Sequence, residues 1–244
     1  VLNLNMQQPI AHEASALQWR KRLLIICFAP VVLAVLAADS RWLYERGIDA
    51  QILSNIAGPF YIWWLISALK PEQRLMTLIF VPFSAIGEGI FSLLFGLYTY
   101  KFGMVPIYVP FGHAIMFGTG LLIAESAPVV RHEARVRWAL LLFHGGLILG
   151  ALLWLGDTLS GIFGLLAIFV LYRKRFNVFY LIMGVLVLYI EWIGTWFGCW
   201  FWHLHPFGLL STTNPPVGAF VCYLIADLIV MRLARMVGWW LHKL

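Results

Sequence analysis

The chain has 244 residues, of which 62% are hydrophobic and only 11% charged, with a formal net charge of +6. Soluble domains carry about 25% charged residues. Too little polar surface is left here to keep so much apolar side chain in water, which excludes disorder, nucleic-acid partners and ordinary cytosolic enzymes and points to an all-α, polytopic membrane protein. The cysteines Cys27, Cys199 and Cys222 are odd in number, sit in apolar surroundings and lack C-x-x-C spacing, so they read as free thiols.

Taken in chain order, residues 1–19 form a polar cytoplasmic lead with a short surface helix expected around Trp19. A membrane-crossing helix needs about 20 mostly apolar residues, and segments near that length follow at 22–38, 52–69, 75–98, 107–127, 138–156, 157–172, 178–202 and 215–235. The first has a basic start and ends in small residues (Ala34, Ala37, Ala38) as a signal peptide does, and is read as an uncleaved anchor. Pro59, Pro82 and Pro110 kink or begin spans two to four. The polar connection from His203 to Pro215 is either a surface loop or a re-entrant cap, the latter only if protein or water surrounds its backbone. The closing stretch Val237–Leu244, with Trp239, Trp240, His242 and Lys243, has the composition of an interfacial anchor.

Fourteen of the seventeen basic residues fall on one side of an eight-span arrangement: Arg20, Lys21, Arg22, Lys70, Arg74, Arg131, Arg135, Arg137, Arg173, Lys174, Arg175, Arg232, Arg235 and Lys243. Only Arg41, Arg46 and Lys101 fall on the other. Short basic loops stay cytoplasmic, so both termini are expected inside, in a bacterial cytoplasmic (inner) membrane.

Two stretches resemble each other. Glu88, Ser92, Phe95-Gly96, Tyr98, Tyr100, Pro110, Gly112 and His113 align with Glu191, Thr195, Phe197-Gly198, Trp200, Trp202, Pro216, Gly218 and Ala219, with one residue more between Glu and Gly in the first. This suggests two parallel four-helix repeats, 20–137 and 138–244. Interface preference alone explains the aromatics. It does not explain the paired glutamates.

Glu88, Glu191 and Asp227 lie near the middle of predicted spans, whereas Glu125 lies near a span end. A central acid costs on the order of 3 kcal/mol on insertion scales and usually marks a cavity or functional path. Such an acid can also serve packing alone, through a hydrogen bond to a neighbouring helix. Three at one depth suggest a shared site in which a protonated carboxyl acts as general acid. Tyr98, Tyr100, Trp196, Trp200 and Trp202 are expected to line it, where aromatic faces would steady a developing cation. His113 is a further candidate, near the outer face, while His144 is expected at a different depth, which argues against a haem held by both. His203 and His205, with His113, make a minimal metal set, although no metal is expected; whether a cofactor or pigment is bound is left open by the sequence. Neither H-E-x-x-H, G-x-S-x-G nor a phosphate-binding loop occurs. Gly146-x-x-x-Gly150 and Gly194-x-x-x-Gly198 read as ordinary helix packing.

The segment Gly87 to Pro110, with Glu88, Phe95, Gly96, Tyr98, Tyr100, Gly103 and Pro106, resembles the carotenoid-biosynthesis membrane proteins of the carotenoid hydratase type. That resemblance implies acid-catalysed addition of water to an isoprenoid double bond, with Glu88 as proton donor. The residues themselves leave three functions open: an intramembrane acid–base enzyme (hydratase or isomerase type) on an isoprenoid or other lipid; a non-catalytic subunit bound to a membrane-protein partner; and a small proton-coupled transporter.

Overall fold

A computed structural model describes residues 7–241; the first residues of the polar lead, and His242 and Lys243 of the proposed terminal anchor, lie outside them. The chain is a helical membrane protein. Its helices are α1 (Gln7–Ala38), α2 (Arg41–Tyr44), α3 (Gln51–Ile66), α4 (Pro71–Glu88), α5 (Tyr108–Ala124), α6 (Ala127–Arg131), α7 (Glu133–Leu155), α8 (Thr158–Arg173), α9 (Val178–Trp196) and α10 (Phe220–Leu241). Among the described residues, five stretches are long and apolar enough to cross a membrane: Ser15–Tyr44, Pro71–Leu94, Glu133–Leu155, Val178–Trp196 and Val217–Trp239. Tyr108–Ala124 and Thr158–Arg173 are apolar but shorter. Instead of a separate surface helix around Trp19, α1 runs unbroken through that residue, which is exposed.

Local chemistry starts and stops these helices. Asp157 caps α8 by accepting from Ser160 N at 2.8 Å, and Asn177 caps α9 by accepting from Phe179 N at 2.9 Å. Pro71 opens α4, where the Gln73 side chain accepts from Lys70 N at 3.0 Å.

The core forms around α5, which is buried along most of its length and packs against α1, α3, α4 and α9. Close approach depends on small residues: a methyl at Gly118 would stand 2.8 Å from Leu65 Cδ2, and one at Gly120 would collide with Met183 Sδ. By contrast, α7 and α8 turn Leu142, Trp154, Leu165 and Ile168 outward, an apolar surface that only lipid or another apolar partner suits.

Two predicted spans end early. The expected helices 75–98 and 178–202 stop at Leu94 and Trp196, and the aromatic residues beyond are not helical. Gly96 (φ 58°) and Gly198 (φ 66°) adopt left-handed conformations that turn the chain out of the helix. Tyr98–Tyr100 (β1) and Trp200–Trp202 (β2) then pair antiparallel as a two-stranded ribbon, in the register Tyr98–Trp202, Thr99–Phe201 and Tyr100–Trp200. Side chains alternate as strands require. Tyr98, Tyr100, Trp200 and Trp202 are buried beneath the ribbon, and Thr99 and Phe201 face out.

The extra residue between Glu88 and Gly96 is absorbed by a π-helical turn, Gly89–Leu94, that continues α4. There Phe95 N bonds Ile90 O, five residues back, while its counterpart Phe197 N bonds Ile193 O, four back, both at 2.9 Å. A π-turn inserts one residue without breaking the helix. Both strands therefore leave their helices in position to pair.

Candidate functional site

Beneath the ribbon lies a cavity of about 420 Å³, bounded by α1, α3, α4, α5, α9 and α10. Most of its wall is hydrocarbon, including Phe28, Val32, Phe80, Met116 and Ile225. Its polar part is concentrated directly under the aromatic side chains.

Glu88, at the end of α4, is buried and takes three partners. Its Oε2 accepts from the hydroxyls of Tyr98 (2.8 Å) and Tyr100 (2.6 Å), and its Oε1 lies 3.0 Å from His113 Nε2. Glu191, on α9, is equally buried and also takes three. Its Oε2 accepts from the indole N–H of Trp200 and of Trp202, each at 2.9 Å, and its Oε1 accepts from the Tyr223 hydroxyl at 3.0 Å. Each glutamate thus binds the two inward side chains of the strand that follows it, plus one residue from α5 or α10. The clusters meet where the rings of His113 and Tyr223 stack, with centroids 4.9 Å apart and planes inclined by 33°.

The donors differ in what they can do with a proton. An indole N–H only donates, so Glu191 Oε2 must accept from both tryptophans, and any proton on Glu191 sits on Oε1, toward Tyr223. Tyrosine hydroxyls both donate and accept, and an imidazole nitrogen exchanges its proton. Glu88 and His113 can therefore pass a proton between them without rearranging the surrounding bonds.

The ribbon is anchored at both ends. Beside β1, Lys101 Nζ pairs with Asp39 Oδ1 at 2.7 Å; the side chains are 5% and 0% exposed. Asp39 also accepts from Gln51 Nε2 (2.9 Å) and from the Tyr108 hydroxyl (2.7 Å), so the buried charge is fully solvated by protein. Beside β2, Trp202 N donates to Asn214 Oδ1 at 3.0 Å. The polar connection beyond tucks Thr213 against Asp157, whose Oδ2 accepts from the Thr213 hydroxyl at 2.8 Å. Leu209, earlier in the same connection, is exposed.

Of the residues singled out from sequence, the structure brings Glu88, Glu191, His113, Tyr98, Tyr100, Trp200 and Trp202 to the cavity wall. Trp196 is elsewhere: it ends α9 before the Gly198 turn, is 86% exposed and borders an open groove with Trp154 and Trp192. Asp227 is 0% exposed but lies outside the cavity lining, one turn beyond Tyr223 on α10, and neither carboxyl oxygen has a hydrogen-bond partner among the described residues. His203 Nε2 is 2.9 Å from Thr99 Oγ1 on the outward face of the ribbon, and His205 is exposed, whereas His113 is beneath it. No group of three potential metal ligands comes together among the described residues. Glu125 pairs with Lys70 at 2.8 Å, away from the cavity. His144 is buried against Phe220, with Nε2 3.0 Å from Leu181 O.

Sequence reasoning overlooked Tyr223, Asp39 and the second role of Lys101. Nothing distinguishes Tyr223 from other aromatics in an apolar span. Lys101 did carry a signal, as an isolated cation directly after an aromatic run on a side otherwise almost without them. Searches with the chain match no protein-family model, no curated protein and no solved structure.

Proposed function

We propose that this chain is an intramembrane acid–base enzyme acting on an isoprenoid or other apolar lipid, with Glu88 and His113 handling the proton. The observation that carries the reading is a carboxyl held 3.0 Å from an imidazole and bonded by two phenols, in the wall of a cavity otherwise lined largely by hydrocarbon. Buried polar groups in a membrane interior are costly and are retained where they serve a path or a reaction. A proton delivered from the Glu88–His113 pair to an sp² carbon leaves a carbocation on the neighbouring carbon. Glu191 and the surrounding aromatic side chains favour that positive charge. Addition of water followed by loss of a proton completes a hydration; loss of a proton from the adjacent carbon back to Glu88 completes an isomerisation. The same reading takes the chain as eight spans with both termini cytoplasmic, in a bacterial inner membrane, with the ribbon at the outer face. The matched motifs that pair through β1 and β2 support two duplicated four-helix halves related by an axis along the membrane normal.

The test is solvent-deuterium labelling. Cells producing the chain are grown in deuterated water after their lipids are made, and the apolar lipid extract is examined by mass spectrometry. The wild type is expected to introduce carbon-bound deuterium into one lipid class, and Glu88→Gln to abolish it. Labelling and lipid composition indistinguishable between wild type, E88Q and E191Q would sink the enzymatic reading and leave the subunit reading, for which a stoichiometric co-purifying partner is the positive sign.

A further inference from the structure

The acidic, phenolic and hydroxyl side chains around the cavity already hold hydrogen-bond partners within the protein. Glu88 and Glu191 hold three donors each; Ser84 Oγ donates to Pro110 O at 3.2 Å, and the Tyr61 hydroxyl to Leu24 O at 2.9 Å. Among the described residues, no cavity-lining side chain has a buried nitrogen or oxygen without a partner. A phosphate, sugar or amide headgroup inside would lose its water and have to compete with these bonds for partners. A phosphate would also face two carboxyl groups, with neither Lys nor Arg in the lining.

The inward side chains of the ribbon line the cavity, and Phe80 and Met116, further along α4 and α5 in its wall, are fully buried. On the side between α4 and α10, the lining residues reach the apolar outer surface. Ile86 is 65% and Ile229 41% exposed, Ile90 is exposed beside them, and nothing lies within 4 Å of where a Cβ on Gly87 would stand. At about 420 Å³ the cavity matches the lower part of the range for small-molecule sites. It accommodates part of a long lipid rather than the whole.

We infer that the site takes the hydrocarbon end of a membrane-resident isoprenoid, admitted laterally between α4 and α10 past Ile86, Gly87 and Ile229, while any polar headgroup stays in the bilayer. This rests on the acid–base reading for one element only, the choice of an unsaturated chain, because proton transfer to carbon needs a π bond. The lateral path and the exclusion of headgroups come from the lining itself.

The experiment uses the full chain in phosphatidylglycerol nanodiscs, with tritiated squalene as probe. Saturable binding to the wild type is expected, with a loss of about tenfold or more in affinity in Gly87→Trp and in Ile86→Trp, which plug the opening from two neighbouring positions. Gly145→Trp on α7, also without a neighbour in reach, is expected to bind as the wild type does. Absence of saturable binding, wild-type affinity in both plugged variants, or displacement of squalene at lower concentration by a phosphate-headed isoprenoid than by unlabelled squalene would each overturn the inference. Squalene binding without any E88Q-sensitive deuterium labelling removes the enzymatic reading alone. Labelling without squalene binding removes the lateral-access inference alone.

Discussion

Glu88 and Glu191 stand under the same ribbon, each with two donors from the strand that follows it and a third from a neighbouring helix. Around Glu88 the partners are two phenols and an imidazole, all able to give and take protons; around Glu191 two of the three are indoles, which can only give a hydrogen bond. Their surroundings differ to match. Three residues past Glu191 is Gly194, where a methyl would overlap the Trp200 ring, whereas three residues past Glu88 is Phe91, tolerated beside the smaller tyrosines. Shared backbone geometry thus carries two different surroundings: one acid among groups that can exchange protons, the other held as an acceptor by donors that cannot.

The largest test of this comparison is at the anchors rather than the acids. Lys101→Met leaves the buried Asp39 carboxylate without its cation, and breaking such a pair costs about 3–5 kcal/mol. Asn214→Ala at the other strand removes one neutral hydrogen bond worth about 1 kcal/mol. Unfolding of the two variants in the same detergent should separate them clearly, and equal losses would show that the ends of the ribbon are held alike.

A smaller effect is expected under the ribbon. Tyr98→Phe and Trp202→Phe each remove one hydrogen bond to a carboxyl group, worth about 1.5–3 kcal/mol if that group is ionised. Comparable losses of stability are expected, but only Y98F should lower deuterium labelling of lipid. Equal labelling in both variants would mean that the phenols, like the indoles, serve only to hold a carboxyl in place.

The smallest alteration in atoms, a single methyl, is Gly194→Ala, which forces the Trp200 indole aside at a cost of about 1–3 kcal/mol. Gly89→Ala, with no atom in reach, should be neutral or slightly stabilising in the same melting experiment. A neutral G194A would show that Trp200 can leave Glu191 freely, contrary to its proposed fixed role.

Much of the site was legible because its members are chemically conspicuous. A glutamate in an apolar span stands out by its solvation cost, and two followed by the same Phe-Gly-aromatic pattern stand out twice. The extra residue in the first copy looked like a mismatch and is instead the π-turn that keeps both strands in register. Trp196 lies close to Trp200 and Trp202 in sequence, yet it precedes the Gly198 turn, and that reversal leaves it facing outward. Asp227 had the depth of the other acids but not their direction, and depth along a helix says nothing of which face a residue occupies.

Composition and the run lengths of apolar residues determined by themselves that this is a helical membrane protein, because the cost of exposing backbone and charge to lipid leaves few alternatives. They also determined which acids lack a ready explanation. Only the tertiary structure decided that the two aromatic runs pair as strands, that His113 meets Glu88 while Tyr223 meets Glu191, and that Asp39 receives Lys101. Each of these joins residues far apart in the chain, through a register or a helix rotation set by packing, which no local property of the residues encodes.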